Sequence, residues 1–444
     1  MVTTEKKIEI AKWLLDPDGT QSLPADLAVL EEKLRHYGLR KIYDELELPL
    51  APILDEMRAK GIAVDVALLQ TLSKKLEKEL GVLTKAIYAD AGAPFNINSP
   101  KQLSEVLFEK LGISHSGIPH RSTGAYSTDA GALEIIRERH AIVPAILKYR
   151  ELFKVQSTYV APLLELGTAS KDHRIHATLH QTSTATGRLS SENPNLQNIP
   201  TGTDIAKELR AAFVAPKGKT LLSLDYSQIE LRIMASVSGD PKMIEAFKNG
   251  EDIHKITAAS VLNIPVDKVT KEQRQTAKTL NFGIIYGMGP QAFARTSGLS
   301  YTEAEEFIAA YFRNFSEIQQ WQERTIAAAR ETGYVENLNG RKRWVPNIIS
   351  PNQRSASEAR RAAFNMPIQS LAADMLKMAM IAARRAFPDI PLILSIHDEL
   401  VFEVPDGMLK KAATELRRIM ESVYQLSVPV KVDVASGKNW AEIS

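Results

Sequence analysis

The stretch LLSLDYSQIELR, residues 221–232, decides how the rest of the chain is read. The short apolar run from Lys219 to Leu224 is followed by turn residues, the pattern of a buried strand. Asp225 stands at the end of that strand. A helix is expected next, capped by Ser227, and Ser227 and Glu230 have the spacing of a capping box. Each acidic residue alone has an ordinary explanation. Strand-end aspartates are common in turns, and Glu230 would serve the cap.

A second stretch, SIHDELVFEV at 395–404, changes that weighing. PLILSI and LVFEV flank His397–Glu399 and read as two strands with a tight connection. Asp398 and Glu399 are adjacent and repel, and most such turns are simply solvated. The alternative is a divalent cation between them and Asp225. Mg²⁺ is a hard ion, usually held by one or two carboxylates together with substrate phosphates. Two such ions ~3.5–4 Å apart activate an attacking hydroxyl and stabilise a leaving pyrophosphate.

The third stretch is EQRQTAKTLNFGIIYGMG, residues 272–289. Arg274, Lys278, Phe282 and Tyr286 recur every four residues. Each step of four advances a helix by about 40°, so they form a slowly turning stripe, cationic first and aromatic after. A triphosphate could lie along the cations while its base or sugar meets the rings. The plain alternative is an amphipathic helix with solvated cations and core aromatics. Gly283 costs ~1 kcal/mol inside a helix relative to alanine, and close approach of a base is one reason to place it there.

Around these stretches the order is helices, strands, helices, strands, which implies α+β with a helical insertion into a sheet domain. PLAPILDEMRAKG is helical and ends at Gly61, and Asp65 is placed to cap the long amphipathic run 66–92, one helix or a pair. AGAPFNINSP, 91–100, breaks that run, and the Gly-, Ser- and Pro-rich stretch 114–127 marks an exposed basic tip near Arg121. The 444 residues suggest roughly two to four domains. Lys plus Arg total 55 against 53 Asp plus Glu, a balance that neither supports nor excludes nucleic acid as a partner. With no cysteine there is no disulfide framework and no thiolate zinc site. The N-terminus does not read as a signal peptide, and no apolar run is long enough to span a bilayer. A soluble cytoplasmic protein, without a membrane partner, is expected.

The three stretches resemble motifs A, B and C of the DNA polymerase I family and stand in the family's order: DYSQIELR, RQTAKTLNFGIIYG, HDE. Similarity extends to TATGRLSSENPNLQNIP (184–200), DIH (252–254), NMPIQSLAADMLK (365–377) and GKNW (437–440), covering nearly the whole chain from about Leu46. The resemblance implies a right-hand polymerase fold with a palm sheet, helical fingers and a helical thumb. It implies a DNA-directed DNA polymerase, bacterial or phage-like in origin with an organellar one left open, and monomeric, with primer–template DNA and deoxynucleoside triphosphates as partners. It implies two Mg²⁺ ions, with Mn²⁺ able to substitute.

By the same resemblance, Asp225, Asp398 and the Tyr226 carbonyl would be metal ligands, and Glu399 a supporting carboxylate. Lys278 would join the catalytic set. Gln228, Glu230, His254, Arg274, Lys278, Phe282 and Tyr286 would meet the nucleotide, Glu230 excluding the ribose 2′-hydroxyl with a hydrogen bond to Tyr286. Arg188, Asn195, Gln197, Asn198, Asn365, Gln369 and His397 would contact primer and template. The implied parts are a shortened exonuclease remnant at 1–46, the start of the polymerase region and thumb at 47–172, palm at 173–235, fingers at 236–375, and palm again at 376–444. No proofreading exonuclease is expected. Gln275 departs from the family's pattern of two consecutive arginines, which puts one secondary phosphate contact in question.

Overall fold

The computed structural model of the protein describes residues 2–120 and 126–443. Thr3 caps the first helix, Thr4–Leu15, by accepting from the Lys6 amide, and Trp13, Leu14 and Leu15 are buried. A π-helical turn, Tyr43–Glu47, runs directly into Leu48–Lys60, which ends at Gly61 as the sequence predicts. Asp65 caps the next helix, accepting from the Leu68 amide at 2.9 Å. The charged stretch beyond it is one unbroken helix of 26 residues, Val66–Ala91, rather than a pair. Leu69, Leu72 and Leu76 are buried on it at helical spacing. Each such leucine stabilises the fold by ~1.5–3 kcal/mol. This helix packs along Ile142–Val155. Its far end belongs to a separate small core around Ile87, Leu107 and Ile146. The basic tip expected near Arg121 falls at 121–125, outside the described residues.

Four antiparallel strands form the central sheet, in the order Val432–Gly437, Lys219–Tyr226, Glu399–Pro405, Leu392–Ile396. Lys219–Tyr226 is flanked on both sides, and both of its faces are covered. Leu222 packs with Phe402 and Leu416 in one apolar cluster, while Leu221 packs with Val401 and Trp440 in another. This explains why the strand reads as a continuous apolar run rather than an alternating one. Leu392–Ile396 and Glu399–Pro405 make the expected tight hairpin, with His397 in the left-handed region at φ 52°.

Between the strand regions the chain is mostly helical, ending in the 34-residue helix Gln353–Ala386. A short hairpin, Tyr334–Glu336 with Lys342–Trp344, interrupts this block. The reading above assigns no strand there, although the Asn339–Gly340 dipeptide between the two segments is a hairpin signal.

Candidate active site

The sheet brings the acidic residues together. Asp225 pairs in register with Glu399 on one side and with Asp433 on the other. Residues paired in register share a face of the sheet, so three carboxylates crowd one edge. Asp398 joins them from the hairpin turn, its carbonyl accepting from the Tyr226 amide at 3.2 Å. Asp225 keeps contact with solvent, yet burial by its surroundings pushes it up to about 7, helped by repulsion from Glu399, Asp398 and Asp433. Burial also raises Asp398, against the attraction of Arg188 and His397. Glu399 is raised by burial and held by Ser223, whose hydroxyl donates to it at 2.5 Å. Asp433 is an addition to the residues expected from sequence; only the register of its strand, Val432–Gly437, brings it beside Asp225. Among the described residues, no group of three or more His, Asp or Glu side chains forms a ready-made metal cage.

Glu230 is not a capping residue. The helix Ile229–Ser238 is preceded by Gln228 at φ 53°, a left-handed turn that displaces Ser227 from the cap position. Glu230 is buried instead, with one oxygen receiving the Arg188 guanidinium and the other the Tyr286 hydroxyl at 3.0 Å. Burial raises its pKa, Asp398 adds to this, and Arg188 and Tyr286 oppose it. The expected bond to Tyr286 is present, and Arg188 is its unexpected companion.

The basic stretch forms the helix Lys271–Ile285, started by a capping box between Thr270 and Gln273. Ala277, Leu280, Asn281 and Ile284 are its buried side. Arg274, Lys278 and Phe282 lie on the other side, and Tyr286 is the residue that ends the helix. Arg274 is paired with Asp252 at 2.7 Å. Lys278 is exposed and makes no hydrogen bond or ion pair among the described residues. His254 lies beneath this surface, 1 % exposed, its Nδ1 3.0 Å from Asn281 and its ring centroid 5.9 Å from that of Phe282. Burial holds it down at about 4, Asp252 opposing and Arg274 and Lys278 assisting. It is therefore a neutral, covered member of the cluster rather than an open cation. Gln275 is exposed on the same helix. Gly283 faces Met288, whose sulfur would lie 3.0 Å from an added Cβ, so in this structure a side chain and not a base accounts for the glycine.

A cleft of about 240 Å³ beside Asp398 is lined by Arg188, Gln197, His397, Ser395 and Lys377 among others. Gln197 donates to the Ser395 carbonyl at 3.2 Å. Asn195 is used locally, accepting from the Gln197 amide, and the Asn198 carbonyl accepts from Tyr159. Asn365 is half-buried with its side-chain oxygen unpartnered, and Gln369 is buried near Tyr286. The structure thus gathers Arg188, Gln197 and His397 at the carboxylates; the side chains of Arg188, Gln197 and Asn195 each have a partner within the protein, and Asn198 is engaged through its backbone carbonyl.

Residues 66–442 match the DNA polymerase family A profile. The chain belongs to that family. It is 45% identical over 406 residues to the thermostable DNA polymerase I of Thermus filiformis, covering 90% of this chain and 48% of that protein. It is 42% identical over 439 residues to DNA polymerase I of Deinococcus radiodurans, covering 97% and 46%. The chain spans about half the length of the curated relatives it matches. Among solved structures it resembles the POL domain of Pol1 from M. smegmatis, in complex with DNA primer-template and dNTP. That match has a TM-score of 0.92 and 35% identity, over 98% of this chain and 82% of that one. The fold is accordingly the α+β right hand of family A, with a palm sheet and helical fingers and thumb. No helix among the described residues is long and apolar enough to cross a membrane.

Proposed function

We propose that this family A chain carries out template-directed DNA synthesis, adding deoxynucleoside triphosphates to a primer 3′ end and releasing pyrophosphate. The observation that carries the reading is the meeting of Asp225 and Asp398 at adjoining strand ends, next to a buried Glu230 held by Tyr286 and Arg188. The primer–template and nucleotide bound to the M. smegmatis relative support it.

The donor set fits Mg²⁺. Asp225, Asp398 and the Tyr226 carbonyl offer hard oxygens, and the burial and repulsion that raise Asp225 are what a divalent cation offsets. Two carboxylates leave the remaining positions to substrate phosphates and water. When bound, two Mg²⁺ ions (or Mn²⁺) would supply charge stabilisation at the attacking and leaving oxygens. The chain's own residues do the rest. Lys278 and Arg274 receive the triphosphate, with His254 as a neutral donor behind them. Phe282 packs on the sugar, Gln228 lines the nucleotide site, and Tyr286 stands at the templating position. Glu399, tied to Ser223, supports the pair electrostatically. Arg188, Asn195, Gln197, Asn198, Asn365, Gln369 and His397 face primer and template. In this reading 47–172 holds the start of the polymerase region and the thumb, 236–375 is fingers, and 173–235 with 376–444 is palm.

Primer extension with Mg²⁺, comparing deoxy- with ribonucleotides, tests the proposal. Deoxynucleotide extension supports it. Preferential ribonucleotide use would make the chain an RNA polymerase, and extension with neither would make it a binding scaffold.

Two substitutions probe single contacts. Lys278→Ala is expected to lower kcat/KM for the nucleotide by ~10–10²-fold, the worth of a charge-assisted hydrogen bond, with primer–template affinity nearly unchanged. A uniform loss of DNA affinity at constant nucleotide KM would instead make Lys278 a backbone contact. Glu230→Ala opens space at the sugar and should raise the ribo-to-deoxy ratio of kcat/KM, by up to ~10², the discrimination that rejection of one hydroxyl gives. An unchanged ratio in a folded, active variant would remove the sugar-gate role.

A further inference from the structure

We propose that Trp13 and Thr184 are positioning residues for Arg188, and through it for Glu230. A segment preceding the family-matched residues would then help set how strictly a ribose is excluded. The inference rests on the gate reading of Glu230.

The loop 181–189 has no regular structure of its own. It is fixed from the N-terminal segment at three points. Gln181 donates to the Glu47 carbonyl at 2.7 Å, Thr182 donates to Glu9 at 2.5 Å, and the Trp13 indole donates to the Thr184 carbonyl at 2.9 Å. Within the loop, the Thr184 hydroxyl donates to the Arg188 carbonyl at 2.7 Å. Arg188 then donates to one oxygen of Glu230, while Tyr286 holds the other. A continuous line of hydrogen bonds therefore joins Trp13 to the carboxylate beneath the sugar.

The near end of that line is rigid. Trp13 is 6 % exposed, and the cations of Arg341 and Lys377 each lie 5.1 Å from its ring. Both cations are ion-paired to the buried Glu47. The loop also lies flat on Arg341: an added Cβ at Gly187, itself at φ 82°, would sit 3.2 Å from the Arg341 guanidinium carbon. The indole has a single donor and aims it at the loop. Losing that bond frees the Thr184 carbonyl, lets Arg188 drift, and leaves Glu230 held by Tyr286 alone.

Trp13→Phe keeps an aromatic ring beside the two cations and removes the N–H together with the smaller ring of the indole. Thr184→Val removes only the hydroxyl. Both are measured by the ribo-to-deoxy ratio of kcat/KM and by the guanidinium ¹⁵N resonances of Arg188 in the ligand-free protein. Each variant should raise the ratio by ~2–10-fold, the factor one neutral hydrogen bond is worth, and should shift or broaden the Arg188 signals. In a Glu230→Ala background, Trp13→Phe should add nothing to the ratio. A Trp13 that merely stabilises the fold would lower Tm and move neither readout, which overturns the proposal. An equal increment in the Glu230→Ala background overturns it as well. Should Glu230→Ala alone leave the ratio at the parent value, the gate reading is what fails, and unchanged Arg188 resonances then decide against the relay by themselves.

Discussion

Replacing Asp225 or Asp398 by alanine should lower primer extension by at least ~10³-fold, the scale of several kcal/mol of lost transition-state charge stabilisation. Primer–template affinity should stay near the parent value, because the proposed DNA contacts are spread over many residues and neither side chain is among them. The two sites differ in environment. Asp398 sits in the turn beside Arg188 and His397, whereas Asp225 faces Glu399, Asp398 and Asp433 with no cation among its influences. Its pKa is pushed up to about 7. A carboxylate whose folded pKa lies above its unfolded value makes stability fall as pH rises from the unfolded value, near 4, through the folded one. In metal-free buffer above pH 8, Asp225→Ala should therefore melt higher than the parent while extending no primer. Steady-state extension at saturating Mg²⁺ and a melting curve in EDTA check both halves. Near-normal turnover would remove Asp225 from the metal-binding set. A lower Tm would show that its crowding is relieved in some other way.

The chemistry was legible where it sits at the ends of apolar runs. Lys219–Tyr226 and the His397–Asp398 turn follow from local pattern alone, because a strand's burial is written in consecutive residues. Glu230 shows where that reasoning stops. The Ser-x-x-Glu spacing is real, but the left-handed Gln228 shifts the helix start past Ser227. The carboxylate then finds partners 42 and 56 positions away, which no local rule can see. Gly283 was noticed for its cost, and its neighbour Met288 became visible only once the helix end was folded. Asp433 lies in a short exposed strand whose register alone makes it a neighbour of Asp225. His254 was expected among the cations, and it lies beside them, but burial, with Arg274 and Lys278 assisting, keeps it neutral, and Asn281 hydrogen-bonds its ring.

Glu47 is the extreme of the same problem, and the largest stability effect is expected there. In sequence it is one acidic residue before a helical run; in the fold it is 0 % exposed. Lys377 reaches it at 2.7 Å, Arg341 and Gln181 also bind its carboxylate, and Asp374 completes the charge balance by accepting from Arg341 at 2.8 Å. Removing one member of such a group leaves a buried charge uncompensated, a loss of ~3–5 kcal/mol. Glu47→Ala should therefore lower Tm by roughly 3–5 °C, with Glu47→Gln in between because it keeps the shape and some hydrogen bonds. Burial alone would raise the Glu47 pKa, but Lys377 and Arg341 outweigh it and hold the carboxyl below the usual range. Burial lowers Lys377 in turn, yet the close contact with Glu47 keeps the proton on the lysine and the pair charged. With the folded pKa depressed, the contribution is complete at neutral pH. It fades as pH falls below ~4, the unfolded value, through the folded one. The gap in Tm between parent and Glu47→Ala should accordingly be widest near pH 7 and narrow in acid. Thermal denaturation of both proteins from pH 7 to 3 measures it, and a gap that grows in acid would mean the glutamate is held protonated in the fold.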